Sequence, residues 1–102
     1  MYNYFMLMGI VLEEPTIEEL GDDRRKAVIK LKVNRCFPNT QGEYAADVLD
    51  ILFYDFMIAH IEDNIDKGMP ITVKGRMQTS GQGIVLIGER IMFFNNLREP
   101  KQ

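Results

Sequence analysis

The stretch that determines the fold is residues 44–79, YAADVLDILFYDFMIAHIEDNIDKGMPITVKGRMQT. Up to Tyr54 this stretch is rich in strand-forming residues, and residues 70–79 alternate apolar and polar side chains as a half-buried strand does. Between these two segments the apolar residues recur at helical spacing, with Asp55 in place to cap a helix and Gly68 to end it. The stretch therefore predicts a strand, one short helix and a second strand.

Further strands are predicted on both sides of this stretch. Residues 4–12 are rich in strand formers and are followed by a polar loop to about Lys26, whereas residues 27–35 alternate apolar and polar side chains. Residues 84–94 form the last strand, after a tight connection at 80–83. Three strands, a helix and two strands predict an all-β fold, a five-stranded antiparallel Greek-key OB-fold barrel with one short helix between strands 3 and 4.

The length and composition of the chain fit a single domain. It has 102 residues, of which 46% are hydrophobic and 26% charged, as in ordinary globular proteins. We expect the OB-fold domain to occupy residues 1–96 and a short polar tail to occupy residues 97–102. No apolar stretch reaches the roughly 20 residues that span a bilayer, so no membrane association is expected. The single cysteine, Cys36, cannot form an internal disulfide and fits a reducing cytoplasm.

Charge is unevenly distributed along the chain. The net charge is −3, yet residues 1–23 contain no Lys or Arg and six of the 15 acidic residues. All 12 basic residues lie from Arg24 onward, where the net charge is +3. The acidity is therefore concentrated near the start of the chain, and the later strands can form a surface that binds phosphates.

Short motifs along nearly the whole chain resemble those of bacterial single-stranded DNA-binding proteins, of which this would be a short, tail-less member. The motifs are NYFMLMG at 3–9, VNRCF at 33–37, QGE at 41–43 with the strand that follows, and KG at 67–68 with VKGRMQT at 73–79. The resemblance implies an OB-fold that stacks DNA bases on aromatic side chains and binds phosphates with Lys and Arg. Each stack contributes about 1–3 kcal/mol and tolerates any base, because every base has a π face.

The resemblance also implies the residues of the DNA-binding site. It places Phe37 and Tyr54 at two stacking positions. Three phosphate-binding cations lie on strand segments that match the family, and two more alternate outward on the second predicted strand: Arg35, Lys74 and Arg76, and Lys30 and Lys32. RNA stays an alternative ligand, because stacking on aromatic rings does not depend on the 2′-hydroxyl group.

Three features depart from the family pattern. Val48 stands where the third strand usually carries another aromatic residue, the hairpin at 80–83 is short, and Ile10 stands where a basic residue is common. We therefore expect weaker binding, or a shorter binding site, than is typical of the family. Full-length relatives end in a flexible segment with an acidic, hydrophobic tip that recruits replication and repair proteins. This chain stops at Gln102, so recruitment through such a tip is not predicted.

The same residues also have structural interpretations. Phe37 and Tyr54 can be packing aromatics in the core or in a dimer, and a lysine such as Lys30 can simply cover the solvated face of a strand. Residues 2–8 have apolar side chains on both strand faces, which suggests that a second subunit covers one of these faces. Together with the resemblance, this pattern predicts a homodimer, or a homotetramer built from two dimers.

No catalytic or metal site is recognisable in the sequence. His60 and Cys36 are the only candidates, and neither has the neighbouring residues that a zinc site or an activated nucleophile needs. We therefore expect no cofactor and no enzyme activity.

The leading hypothesis is sequence-independent binding of single-stranded DNA in replication, repair or recombination, by a homo-oligomer on the nucleoid in the cytoplasm. The alternative is an OB-fold adaptor that binds mainly proteins in a replication-restart or mobile-element complex, similar to the primosomal replication protein N, and has weak DNA affinity. The acidic first loop, the short hairpin and the missing tail are the features that favour this alternative.

Overall fold

The computed structural model describes residues 1–93, which form six strands and one short α-helix. The strands are β1 (Phe5–Val11), β2 (Thr16–Gly21), β3 (Arg24–Asn34), β4 (Ala46–Tyr54), β5 (Pro70–Ser80) and β6 (Gly83–Phe93), and the helix α1 (Ile58–Asn64) follows a 3₁₀ turn at Asp55–Met57. The predicted tail at 97–102 and the predicted end of the domain at 94–96 lie outside the described residues. No helix in the described part of the chain has the length and apolar character needed to cross a membrane.

The strands form one sheet that closes into a ring. Its order is β1-β5-β6-β4-β3-β2, and β1 also pairs with β3, with Ile10 opposite Lys32 and Val11 opposite Leu31. The ring thus consists of β1, β5, β6, β4 and β3, and β2 pairs with the first half of β3. The helix lies between β4 and β5, which are the third and fourth predicted strands. The all-β OB-fold prediction is therefore confirmed.

One pairing differs from the predicted antiparallel arrangement. β4 runs parallel to β6, with Ile51 opposite Leu86 and Leu52 opposite Ile87, whereas the other described pairs are antiparallel. A closed ring of five strands cannot reverse direction at every pairing, because five is odd. Side-chain alternation could not reveal this, since it is the same for a strand in either direction.

The segment after β1, which was predicted to be a loop, contains a strand. Residues 16–21 pair antiparallel with β3, and the connection is the two-residue turn Asp22-Asp23. Both turn residues have positive φ angles, 53° and 62°, as the twist of a tight β-hairpin requires. The loop prediction is therefore wrong for residues 16–21. Only Ile17 of this strand packs against the core, so the segment lacks the apolar alternation by which strands are recognised in sequence.

Asp55 does not cap the helix as predicted. Its φ angle is 45°, and no side chain caps either the 3₁₀ turn or α1. The Asp55 carboxylate instead accepts hydrogen bonds from the Arg24 guanidinium and from the Arg25 backbone N–H, both at 3.4 Å. These donors on β3 draw the side chain away from the helix. The helix itself buries Ile58 and Ile61.

The core is filled by the inward side chains of the alternating strands and by one side of the helix. Its buried members are Phe5, Val11, Ala27, Ile29, Leu31, Ile51, Phe53, Ile58, Ile61, Ile65, Ile71 and Val73. Because successive side chains of a strand point to opposite sides, the other face of β3 and β4 is left toward solvent. Strand β6 lies close against this core at Gly88, where a Cβ atom would overlap the ring of Phe53.

We expect Gly88→Ala to lower the free energy of unfolding by about 1–3 kcal/mol, because the added methyl group overpacks the core against Phe53. Gly81→Ala, in the turn between β5 and β6, is the control, since a Cβ atom there meets nothing within 4 Å. Urea unfolding followed by circular dichroism compares the two variants with the parent chain. Equal stability of the two variants would contradict the close packing of β6 on Phe53.

Candidate nucleic-acid interface

The outward face of β3 and β4 carries three of the predicted DNA-binding residues. Cross-strand register sets Lys30 opposite Asp50 and Lys26 opposite Tyr54, and Lys32 lies two residues beyond Lys30. Opposite residues share a face, as do residues two apart on one strand, so these side chains lie on one surface. We call this surface the β3–β4 face, and its members are Lys26, Val28, Lys30, Lys32, Asn34, Ala46, Val48, Asp50, Leu52 and Tyr54.

Tyr54 and Arg76 come from distant parts of the sequence and line one concavity at the end of this face. The concavity has a volume of about 390 Å³. Its lining residues are Tyr54, Met57, Arg76, Ile87, Gly88 and Glu89. Register explains the meeting, because Ile87 lies opposite both Arg76 on β5 and Leu52 on β4. A tyrosine ring, a planar guanidinium group and apolar side chains together can hold a flat base.

Phe37 lies on the loop between β3 and β4, and its side chain is 81% exposed. Hydrogen bonds order this loop: the Arg35 N–H donates to the Ala45 carbonyl at 3.0 Å, and the Asn39 side-chain oxygen accepts two backbone N–H groups at 2.9 Å. Phe37 therefore does not pack in the core of its own subunit. If Phe37 has a packing role, it packs against another molecule and not in the core of its own chain.

Tyr44 is an exposed aromatic residue that was not among the predicted site residues. Its side chain is 67% exposed, and it lies two residues before β4. It continues the outward alternation of Ala46 and of Val48, the position at which the family usually has an aromatic residue. That alternation was the signal available in the sequence, since Tyr44 stands an even number of residues before Tyr54.

Arg35 is held beside Asp47 by two hydrogen bonds. The Arg35 Nε and Nη2 atoms donate to Asp47 Oδ2 at 3.1 Å and to Oδ1 at 2.8 Å. These bonds hold the pKa of the Asp47 carboxyl group below its ordinary value of 3.8, and they raise the pKa of the Arg35 guanidinium group. Both side chains are exposed to solvent, so the pair contributes little to stability.

Lys30 and Arg76 have carboxylate partners as well. Lys30 Nζ donates to Asp50 Oδ1 at 3.0 Å, and this hydrogen bond raises the pKa of the lysine ammonium group. Arg76 donates from Nη1 to Glu89 Oε2 at 2.8 Å and from Nη2 to Gln78 Oε1 at 3.3 Å. The predicted cations thus stand among negative charges rather than on a uniformly basic surface.

Lys32 and Lys74 differ from these three cations, since neither makes an ion pair with a carboxylate of residues 1–93. Lys32 is exposed on the β3–β4 face. Lys74 lies opposite Met6 of β1 and Arg90 of β6, and its Nζ atom is 5.6 Å from the centroid of the Tyr4 ring. The structure therefore places Lys74 beside β1 and not among the members of the β3–β4 face.

Over residues 1–93, no three His, Cys, Asp or Glu side chains are grouped closely enough to hold a metal ion. Cys36 is an exposed free thiol at the start of the β3–β4 loop. His60 lies on α1, with its Nδ1 atom 3.3 Å from the side-chain nitrogen of Asn64.

We expect the Asp47 carboxyl group to titrate below 3.8, and its pKa to rise toward that value in Arg35→Gln, because the guanidinium group stabilises the charged form. The ion pair stabilises the fold above the unfolded-state pKa, which is about 3.9. This contribution is lost as the pH falls through the lower folded-state pKa. Carbon-13 NMR of the Asp47 side chain during an acid titration measures the shift. The same midpoint in both proteins would contradict the ion pair.

Known proteins resemble this chain in sequence and in fold. The sequence profile of the Single-strand binding protein family matches residues 2–83. Single-stranded DNA-binding protein 1 of Staphylococcus aureus (strain MSSA476) is 32% identical over 79 residues, which are 78% of this chain and 51% of that protein. Single-stranded DNA-binding protein 2 of Staphylococcus aureus (strain COL) is 29% identical over 79 residues, 78% of this chain and 57% of that protein. The chain thus spans somewhat more than half the length of these curated relatives.

The fold is also shared with a solved structure, that of the Plasmodium falciparum SSB in complex with ssDNA. The TM-score is 0.77 and the sequence identity 24%, with 93% of this chain and 96% of that chain covered. At this level of identity the likeness supports the OB-fold and nothing finer. Because the family profile covers most of its length, this chain belongs to the Single-strand binding protein family.

Proposed function

We propose that this protein binds single-stranded DNA without preference for sequence and supports replication, repair or recombination by binding rather than by catalysis. The observation that carries the proposal is the concavity shared by Tyr54 and Arg76, which sets an aromatic ring beside a guanidinium group at the edge of an exposed sheet face. The relatives in the matched family are named single-stranded DNA-binding proteins, and a structural neighbour was solved in complex with ssDNA.

The two predicted stacking residues lie toward opposite ends of the β3–β4 face. Tyr54 is opposite Lys26 at one end, and the loop that carries Phe37 follows Asn34 at the other. Eight residue steps along β3 separate Lys26 from Asn34, which is roughly 26 Å in an extended strand. DNA that contacts both rings therefore crosses the face that carries Lys32. Stacking on both rings gives affinity for any sequence, because each base offers a π face.

The proposal places the protein on nucleoid DNA in the cytoplasm, where the exposed thiol of Cys36 stays reduced. RNA of equal length is the natural competitor, because stacking does not depend on the 2′-hydroxyl group. We also propose that binding is weaker than is typical of the family, since the exposed Val48 offers no ring.

A homodimer formed through β1 completes the proposal. The outward side chains of β1 and of the residue before it are exposed and apolar: Tyr4 (61%), Met6 (55%), Met8 (62%) and Ile10 (42%). One edge of β1 pairs with β5, whereas the other edge pairs with β3 only at its end, so residues 5–8 keep a free edge within the described chain. A second copy of β1 can pair with this edge and cover the apolar side chains. Two such dimers can form a tetramer.

We expect Phe37→Ala and Tyr54→Ala each to weaken binding of a labelled oligothymidine by about 5- to 150-fold, the loss of one stack of about 1–3 kcal/mol. Fluorescence anisotropy at several salt concentrations measures the affinity, and duplex DNA of equal length serves as competitor. Thermal unfolding checks that each variant is folded, since Tyr54 is half-buried.

Phe37→Tyr and Tyr54→Phe are the matched controls, because they keep the aromatic ring and should bind nearly as the parent chain does. If the alanine variants bound as tightly as these controls, stacking at the two positions would be disproved. No binding of oligothymidine at the lowest salt would overturn the proposed function and leave the protein-binding adaptor as the alternative.

We expect the protein to sediment at twice the monomer mass or more, and Met8→Glu to shift it toward the monomer. An unpaired charge buried in the β1 interface would cost about 3–5 kcal/mol. Ile84→Glu is the control, since it also replaces an exposed apolar side chain with a glutamate but does so away from β1. Ile84 is 71% exposed and lies at the start of β6. A monomeric parent chain, or a Met8→Glu variant of unchanged mass, would contradict the β1 dimer.

A further inference from the structure

Carboxylates neutralise three of the five cations that were assigned to the DNA interface. Their shortest nitrogen–oxygen distances are 3.0 Å in one pair and 2.8 Å in the other two. The pairs are Lys30–Asp50, Arg35–Asp47 and Arg76–Glu89. These distances are those of charge-assisted hydrogen bonds, which are about twice as strong as hydrogen bonds between neutral groups.

The sheet itself places these carboxylates beside the cations. Asp50 lies directly opposite Lys30 on the neighbouring strand. Asp47 on β4 lies opposite Val33 of β3. Arg35 follows Val33 by two residues, just after the end of β3. Each carboxylate is on the strand next to its partner or, for Arg35, next to the end of the strand that precedes it, so it stays within reach for as long as the barrel is folded. A phosphate that approaches such a cation must compete with this carboxylate.

Glu89 also affects the electrostatics of the candidate site, because it lines the concavity that contains Tyr54 and Arg76. A phosphate brought to the guanidinium group of Arg76 would therefore meet a negative charge at the same site. A base stacked on Tyr54 is neutral and meets no such opposition. The concavity thus favours the base over the phosphate of a bound nucleotide.

We propose, on the basis of the DNA-binding function above, that Asp47, Asp50 and Glu89 determine specificity by withholding three cations from DNA phosphates, so that binding depends on base stacking and little on salt. Duplex DNA offers phosphates but keeps its bases stacked on one another. Withholding the cations therefore weakens duplex binding more than binding of single strands, whose bases are free to stack on Phe37 and Tyr54.

The proposal gives a definite salt dependence. Lys74 lies beside β1 and is left out of this count. The other four cations, if free on four phosphates, would give a slope of log affinity against log salt of about −2.8 for a single strand, whereas one gives about −0.7. Between 50 and 200 mM salt, these slopes correspond to losses of affinity of about 50-fold and about 3-fold. We expect the smaller loss for the parent chain, with Lys32 as the free cation.

The experiment removes the carboxylates without changing side-chain shape. Asp47→Asn, Asp50→Asn and Glu89→Gln are combined in one variant, and its binding to labelled oligothymidine and to duplex DNA is measured from low to moderate salt. We expect tighter binding at low salt, a single-strand slope steeper than that of the parent chain by about 2, and a larger gain for duplex than for single strands. The unfolding midpoint verifies that the variant keeps its fold.

Glu62→Gln is the matched control. Glu62 pairs with Arg25 at 3.3 Å and lines a different concavity, between β2 and α1, so its loss changes the net charge and breaks an ion pair away from the DNA interface. We expect it to leave the slope unchanged. A parent slope near −2.8 that the triple amide variant does not alter would overturn this inference and leave the proposed function standing. Failure of every variant to bind DNA would overturn the proposed function itself.

Discussion

The parallel pairing of β4 with β6 is one junction of the ring of strands, and the concavity that contains Tyr54 and Arg76 lies beside it. Tyr54 ends β4, whereas Arg76 lies on β5 and is brought near only through its pairing with β6. This junction depends on Gly88, because a side chain there would overlap the ring of Phe53 in the core. The packed interior and the candidate binding site therefore depend on the same close approach of β6.

Cross-strand register determines the charge of the surface as well as its shape. The register that turns Lys30 toward solvent also sets Asp50 directly opposite it. Exposed ion pairs of this kind contribute little to the stability of the fold, so stability does not explain them. Their larger consequence is for a charged ligand, because each carboxylate competes with phosphate for the same cation. A chain with a net charge of −3 can bind DNA in this way if aromatic rings supply most of the affinity.

Local patterns predicted most of the fold and failed where distant residues decide a conformation. Apolar alternation is enough to recognise a strand such as β3, which buries Ile29 and Leu31. It is not enough for residues 16–21, which form a strand mainly because the neighbouring strand supplies hydrogen-bond partners. Asp55 is a residue type that commonly caps helices. Its carboxylate nevertheless accepts hydrogen bonds from Arg24 and Arg25, which lie 31 and 30 residues earlier in the chain.

The sequence by itself determined the order of the helix and of the five strands of the ring, the fold class, the outward positions of Lys30 and Lys32 and the resemblance to a DNA-binding family. These follow from local periodicity and short motifs, which the chain carries regardless of how its strands meet. Only the tertiary structure decided that Tyr54 shares a concavity with Arg76, and that Lys74 lies against Tyr4. It also decided which carboxylates neutralise Lys30, Arg35 and Arg76. Such contacts join residues far apart in the chain, and no local pattern encodes the register that brings them together.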